Sequence, residues 1–308
     1  MKVELTEVSS RDGLQSETAP VSTADKIELV ERCIDAGLRR FEVTSFVSPR
    51  AVPQMADAEE VLQGLGTRDD VVFQALVPNL RGAERAARSG VHEWVCFLSA
   101  TESHSRANSN CSIQDAIARL ESVRELAAAE GRRAVAALAV AFGCPFEGVT
   151  PTAQVLRIAG ALVDIGFEEL KLGDTIGTAT PSQIRTVVTA LRSAYPDLSL
   201  VLHLHDTRGL SLANVLAGLS LGITRYESAL GGTGGCPFAP GATGNVATED
   251  LVHFLHAEGH ETGVDFDQLV THGRWLSGVL GRDLPARLQK APPIGATRPL
   301  DAAARAVG

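Results

Sequence analysis

The chain has 308 residues, of which 44% are hydrophobic and 21% charged, an ordinary composition for a globular protein with a sizeable core. A formal net charge of -9 leaves no surplus of Lys and Arg for a phosphate backbone, so nucleic acid is not an expected partner. No apolar run approaches bilayer-spanning length and no signal-peptide core follows Met1, so no membrane partner is expected. The five cysteines (Cys33, Cys96, Cys111, Cys144, Cys236) are odd in number and widely spaced, with no CxxC pair, which points to free thiols in a reducing cytoplasm.

Apolar, β-rich segments alternate with amphipathic helical ones along the chain. Strands are expected over Val3–Val8, Leu38–Thr44, Val71–Val77, Glu93–Leu98, Ala134–Phe142, Phe167–Leu172, Leu198–Leu204 and Ile223–Ala229. Helices are expected over Lys26–Ala36, Met55–Leu65, Arg81–Ser89, Ser112–Glu130, 152–165, 182–194, 211–221 and 246–257. Polar loops are read at Ser9–Ser22 and, rich in Ser and Asn, after the fourth strand. Eight βα units in unbroken alternation argue for an α/β fold, a (β/α)8 TIM barrel over residues 1–258. Residues 259–308, with a helix at Phe266–Leu280 and a Pro- and Ala-rich tail, read as a short helical extension packed on the barrel.

In such barrels chemistry gathers at the C-terminal ends of the strands. His203 and His205, on the strand Val-Leu-His-Leu-His, share one face because strand side chains alternate. They are either core histidines bonded to backbone or two ligands of a divalent metal. The first strand ends in Arg11-Asp12, either a surface ion pair or a metal-ligating carboxylate beside a guanidinium that stabilises charge on a reacting oxygen. Glu42, inside the second strand, must be paired, and Arg11 is a plausible neighbour across the barrel. After the sixth strand, Asp174 and Thr175 either cap a turn or meet substrate, while Lys171 is read as pointing away from Leu172 and snorkelling to the surface between helices.

A glycine-rich stretch, Gly231–Gly244, follows the last strand, either a lid or a backbone cradle, and Cys236 within it is a candidate for acid–base work. Asn245 after it either caps the next helix or supplies an amide oxygen to the metal. His253, His256 and His260 with Glu261 have helical spacing that mimics a metal site but read as surface residues. His92, His104 and His272 have no nameable partners, and Cys33 and Cys96 read as core thiols.

Taken together, Glu7–Gln15, Thr44–Arg50, Val52–Asp57, Gly143–Gly148, Leu172–Gly177 and His203–Thr207 resemble the 3-hydroxy-3-methylglutaryl-CoA lyase family. The loop Gly234-Gly235-Cys236-Pro237-Phe238-Ala239 followed by Gly244–Val252 is similar to that family's signature, and the resemblance runs from about Val3 to His256. It implies a metal-dependent carbon–carbon lyase acting on an acyl-CoA, with Mg2+ or Mn2+ held by Asp12, His203, His205 and Asn245. It further implies catalytic roles for Arg11, Asp12, Glu42, His203 and Cys236, substrate contacts at Arg11, Gln15, Ser45, Asp174 and Thr175, and a homodimer. The chain departs from the family pattern at Ser9-Ser10 (usually Gly-Pro), Thr18 (commonly Lys), Ala137 (often Tyr) and Lys171 (usually small). A relative with a different acyl group, or an isopropylmalate-synthase-like condensation, is the competing expectation.

Overall fold

The structure, a computed structural model, describes residues 1–235, 244–292 and 295–297. Eight parallel strands close into a barrel: β1 (Glu4–Glu7), β2 (Arg40–Ser45), β3 (Val72–Leu76), β4 (Glu93–Ser99), β5 (Arg133–Ala139), β8 (Glu169–Asp174), β9 (Ser199–Leu204) and β10 (Arg225–Ser228). β10 pairs with β1 to complete the circle. A two-stranded antiparallel hairpin, β6 (Gly143–Cys144) and β7 (Gly148–Val149), follows β5 in a stretch for which the sequence suggested no element.

The helices lie outside the strands: α1 (Thr23–Asp35), α2 (Ala58–Leu65), α3 (Leu80–Ala87), α4 (Glu102–Ser109), α5 (Ile113–Ala129), α6 (Thr152–Asp164), α7 (Pro181–Ala194), α8 (Ser211–Ser220) and α9 (Thr248–Ala257). Their starts are set by local chemistry. Ser112 with Asp115, and Thr180 with Gln183, form reciprocal capping boxes at the starts of α5 and α7. Leu170, Leu172, Leu202 and Leu204 point outward into the shell of apolar helix faces, and all are buried. Two stretches read as polar loops are in fact ordered turns of helix. The Ser- and Asn-rich segment after β4 forms α4, and Ser9–Gly13 forms a single π-helical turn.

At the N-terminal end of the barrel, six charged side chains from six strands form a closed ring of alternating sign. Arg40 joins Glu4 (3.2 Å) to Glu93 (2.6 Å), Arg133 joins Glu93 (3.2 Å) to Glu169 (2.7 Å), and Arg225 joins Glu169 back to Glu4 (2.8 Å). α10 (Phe266–Leu280) packs against α1 and α9. The segment after it returns to the barrel, where Arg287 N and Leu288 N donate to Asp250 and Gln289 Nε2 donates to Glu249.

Candidate metal centre and cavity

The π-helical turn after β1 decides the position of the first two candidates. The amides of Asp12 and Gly13 both donate to Val8 O (2.8 and 3.2 Å), and the widened turn carries Arg11 and Asp12 into the barrel mouth. Gly13 is required there, because a Cβ would lie 2.3 Å from Thr233 Oγ1. β9 delivers His203 from its inner face, and His205 follows on the same side in an isolated bridge to Asn245. The two Nε2 atoms stand 3.1 Å apart, with Asp12 Oδ2 at 3.9 Å from His203 Nε2 and 3.7 Å from His205 Nε2. Asp12, His203 and His205 thus offer three ligand atoms within 4.8 Å of one another.

Asn245 joins this group. Its Nδ2 donates to Asp12 Oδ2 (2.8 Å) and Thr233 O (3.1 Å), while its buried Oδ1 has no hydrogen-bond partner among the described residues. It does not cap α9, whose N-cap is Ala247. Gly234, at φ +112°, approaches so closely that a Cβ would stand 2.7 Å from Asn245 Nδ2. An unsatisfied buried amide oxygen beside a carboxylate and two imidazoles is a set that a hard or borderline divalent cation would satisfy.

Electrostatics hold the group in defined charge states. Burial opposes ionisation of Asp12, but the Arg11 guanidinium at 2.6 Å and the neighbouring imidazoles hold its carboxyl well below the usual range. Burial likewise works against a charged His203, yet the hydrogen bond and charge of Glu227, with Asp12 beside it, raise its pKa. Glu227 Oε2 sits 2.8 Å from His203 Nδ1, which leaves Nε2 facing His205 and Asp12. Burial pushes the Glu227 carboxyl up, but Lys171 and His203 bring it down to about 2. Arg11 also pairs through Nε with Glu42 Oε1 at 2.6 Å, the partnership expected from the sequence.

These groups line one side of a cavity of about 300 Å³ at the C-terminal mouth, and its other side is apolar, with Leu76, Val95, Phe97, Ala137 and Ala139. Gln15 and Thr175 also line it, although the Thr175 hydroxyl is taken up by the Val140 amide (2.8 Å). Two residues expected to meet substrate do not reach the cavity wall. Ser45 Oγ accepts from Val47 N, and Asp174 Oδ1 accepts from the amides of Thr178 and Ala179, the turn-capping arrangement. Burial raises the Asp174 pKa. Cys236 lies outside the described residues, although its neighbour Gly235 lines the cavity.

The expected course of Lys171 is overturned. Strand alternation sends Leu172 outward and Lys171 inward, where it is 2% exposed and bonded to Glu42 and Gln74. Sequence reading also passed over His104, Gln74 and Glu227. His104 lines the cavity from α4, with Nδ1 2.7 Å from Ser99 Oγ. Gln74 is a polar residue inside an apolar strand, the signal that singled out Glu42, whereas Glu227 lies in the mixed strand Arg-Tyr-Glu-Ser, where that signal is lacking. His92 accepts from Phe73 N, and His256 and His260 remain peripheral.

Residues 2–275 match the HMGL-like family model. The chain belongs to that family. Among HMGL-like relatives, the hydroxymethylglutaryl-CoA lyase of Bacillus subtilis is 42% identical over 93% of this chain and 96% of its own. The 3-hydroxy-3-isohexenylglutaryl-CoA/hydroxymethylglutaryl-CoA lyase of Pseudomonas aeruginosa is 44% identical over 94% of this chain and 97% of its own. A solved HMG-CoA lyase from Acinetobacter baumannii, in complex with coenzyme A and 3-methylmalate, superposes with a TM-score of 0.92 at 39% identity, covering 97% of this chain and 98% of that one. The TIM-barrel architecture is therefore that of the HMGL-like enzymes.

Proposed function

We propose that the protein is a divalent-metal-dependent carbon–carbon lyase that cleaves 3-hydroxy-3-methylglutaryl-CoA to acetyl-CoA and acetoacetate. The convergence of Arg11, Asp12, His203, His205 and Asn245 in one barrel mouth carries this reading. Asp12, His203, His205 and Asn245 would hold Mg2+ or Mn2+, since mixed oxygen and imidazole donors suit either ion. When bound, the cation supplies Lewis-acid activation of the substrate's tertiary hydroxyl.

Breaking the carbon–carbon bond leaves the electron pair on the thioester fragment as an enolate. Arg11, fixed by Glu42 and kept protonated by its carboxylate neighbours, is placed to bear that charge. Cys236, in the glycine-rich loop, is the proposed proton donor that converts the enolate to acetyl-CoA. Gln15 and Thr175 bound the space for the acyl group. The enzyme is proposed to work as a homodimer in the cytoplasm, where the buried thiols Cys33, Cys96, Cys111 and Cys144 stay reduced. No helix among the described residues is long and apolar enough to cross a membrane.

One observation favours a second reading of the substrate. Ala137, with Leu76, Val95 and Phe97, gives the cavity an apolar wall that would accept an alkyl substituent longer than methyl on the carbinol carbon. The deciding experiment offers 3-hydroxy-3-methylglutaryl-CoA and a longer-chain 3-alkyl analogue, each with Mg2+ or chelator. Metal-dependent release of acetyl-CoA and acetoacetate supports the proposal. Metal binding with neither thioester cleaved refutes it.

A further inference from the structure

Beneath the candidate metal centre, one ammonium joins two carboxylates. Lys171 Nζ donates to Glu42 Oε2 (3.1 Å) and to Gln74 Oε1 (2.8 Å), and pairs with Glu227 Oε1. Each carboxylate divides its oxygens between Lys171 and one residue of the mouth: Glu42 Oε1 meets Arg11 Nε at 2.6 Å, and Glu227 Oε2 meets His203 Nδ1 at 2.8 Å. The result is an unbroken polar chain, Arg11–Glu42–Lys171–Glu227–His203, that runs from the π-helical turn after β1 to β9. Lys171, Glu42 and Glu227 are each at most 2% exposed.

An ammonium has three N–H bonds, and here three protein oxygens occupy them. Lys171 borders the cavity yet has no donor left for a substrate carboxylate. Two buried carboxylates without this cation would repel each other and bear a large desolvation cost, which moving apart or taking up a proton would relieve. Either response would release the hold on Arg11 and on His203. Gln74 anchors the arrangement from below, since its Nε2 donates to Glu93 Oε2 (2.6 Å) in the ring at the barrel floor.

We propose that Lys171 is a positioning residue for the cleavage: it holds Glu42 and Glu227 in register, and through them fixes Arg11 and His203. It does not touch substrate. This inference rests on the lyase reading for its activity arm and is independent of it for its metal-binding arm.

The test uses the full chain with Lys171→Ala and the nearly isosteric Lys171→Met, the second serving if the first does not accumulate. In saturating metal, kcat should fall by about 10- to 100-fold with KM little changed, as a displaced charged group costs turnover more than binding. Mn2+ affinity, read from the free-ion electron paramagnetic resonance signal without substrate, should fall by about tenfold as His203 loses its fixed orientation. In the alanine variant the void opens on the cavity, so propylammonium should restore part of kcat and 1-propanol should not. Wild-type kcat in a folded variant, unchanged Mn2+ affinity, or equal rescue by the alcohol overturns the proposal and leaves Lys171 as filler. If the wild type cleaves no hydroxyglutaryl thioester, the lyase reading fails, and the Mn2+ measurement still decides the role of Lys171.

Discussion

Glu249 offers a quantitative test of how the barrel holds its C-terminal segment. The carboxyl, on the second residue of α9, is fully buried and accepts from Gly231 N (2.9 Å) and Gln289 Nε2 (2.7 Å), with no cation in contact among the described residues. Burial raises its pKa from 4.5 to about 7, and the hydrogen bonds only partly offset this. The folded state therefore binds the proton more tightly than the unfolded chain does. This stabilises the fold fully below pH 4.5, and the contribution is lost as pH rises through 7. Each tenfold change in proton affinity is worth about 1.4 kcal/mol, so the full effect is about 3 kcal/mol, of which roughly 2.5 kcal/mol falls between pH 5 and pH 8. Glu249→Gln is neutral throughout and lacks the effect. Urea unfolding of both proteins at steps from pH 5 to pH 8 should show the wild type losing about 2.5 kcal/mol relative to the variant. Glu7 is common to both and cancels in the difference, and Cys33, held well above its ordinary value by burial with Glu7 and Glu249 beside it, stays protonated throughout this range. Parallel stability profiles, within about 0.5 kcal/mol, would refute the assignment of a neutral buried acid at this site.

Three further outcomes concern the mouth. His205→Ala should reduce bound metal to a small fraction of the wild-type content by elemental mass spectrometry while leaving the circular dichroism spectrum intact. Cys236→Ala should keep metal but lose most turnover, by about 100-fold or more in kcat; wild-type rates would remove the thiol from the mechanism. Gly234→Ala forces a side chain to φ +112° and against Asn245 Nδ2, so both metal affinity and kcat should drop, by at least about tenfold. Retained affinity would show that Asn245 is not a ligand.

Much of this arrangement was legible in the sequence because strand alternation is a strong signal. His203 and His205 had to share a face, and Glu42 inside an apolar strand had to find a cation. The eight βα units were readable for the same reason, each strand being apolar on the helix side. Lys171 was read on the correct side, away from Leu172, but its burial was missed because its partners, Glu42 and Gln74, lie 129 and 97 residues away in the sequence. A lysine next to an outward leucine is compelled inward by the same alternation that was applied to the histidines. α4 was hidden by its Ser- and Asn-rich composition, which favours caps and turns over helix interiors; burial of His104 and Ser105 outweighs that preference. The π-helical turn at Ser9–Gly13 has no periodicity to reveal it.

The ring of Glu4, Arg40, Glu93, Arg133, Glu169 and Arg225 makes the barrel a blind tube. Among the described residues, the cavity beside the candidate metal ligands lies at the opposite, C-terminal end. A cleavage reaction turns one guest into two, and in a dead-end corridor the guest standing further in departs last. Depth in the barrel then bears on which fragment leaves first, alongside the affinity of each. The same ring sets paired charged side chains at the barrel end remote from the mouth.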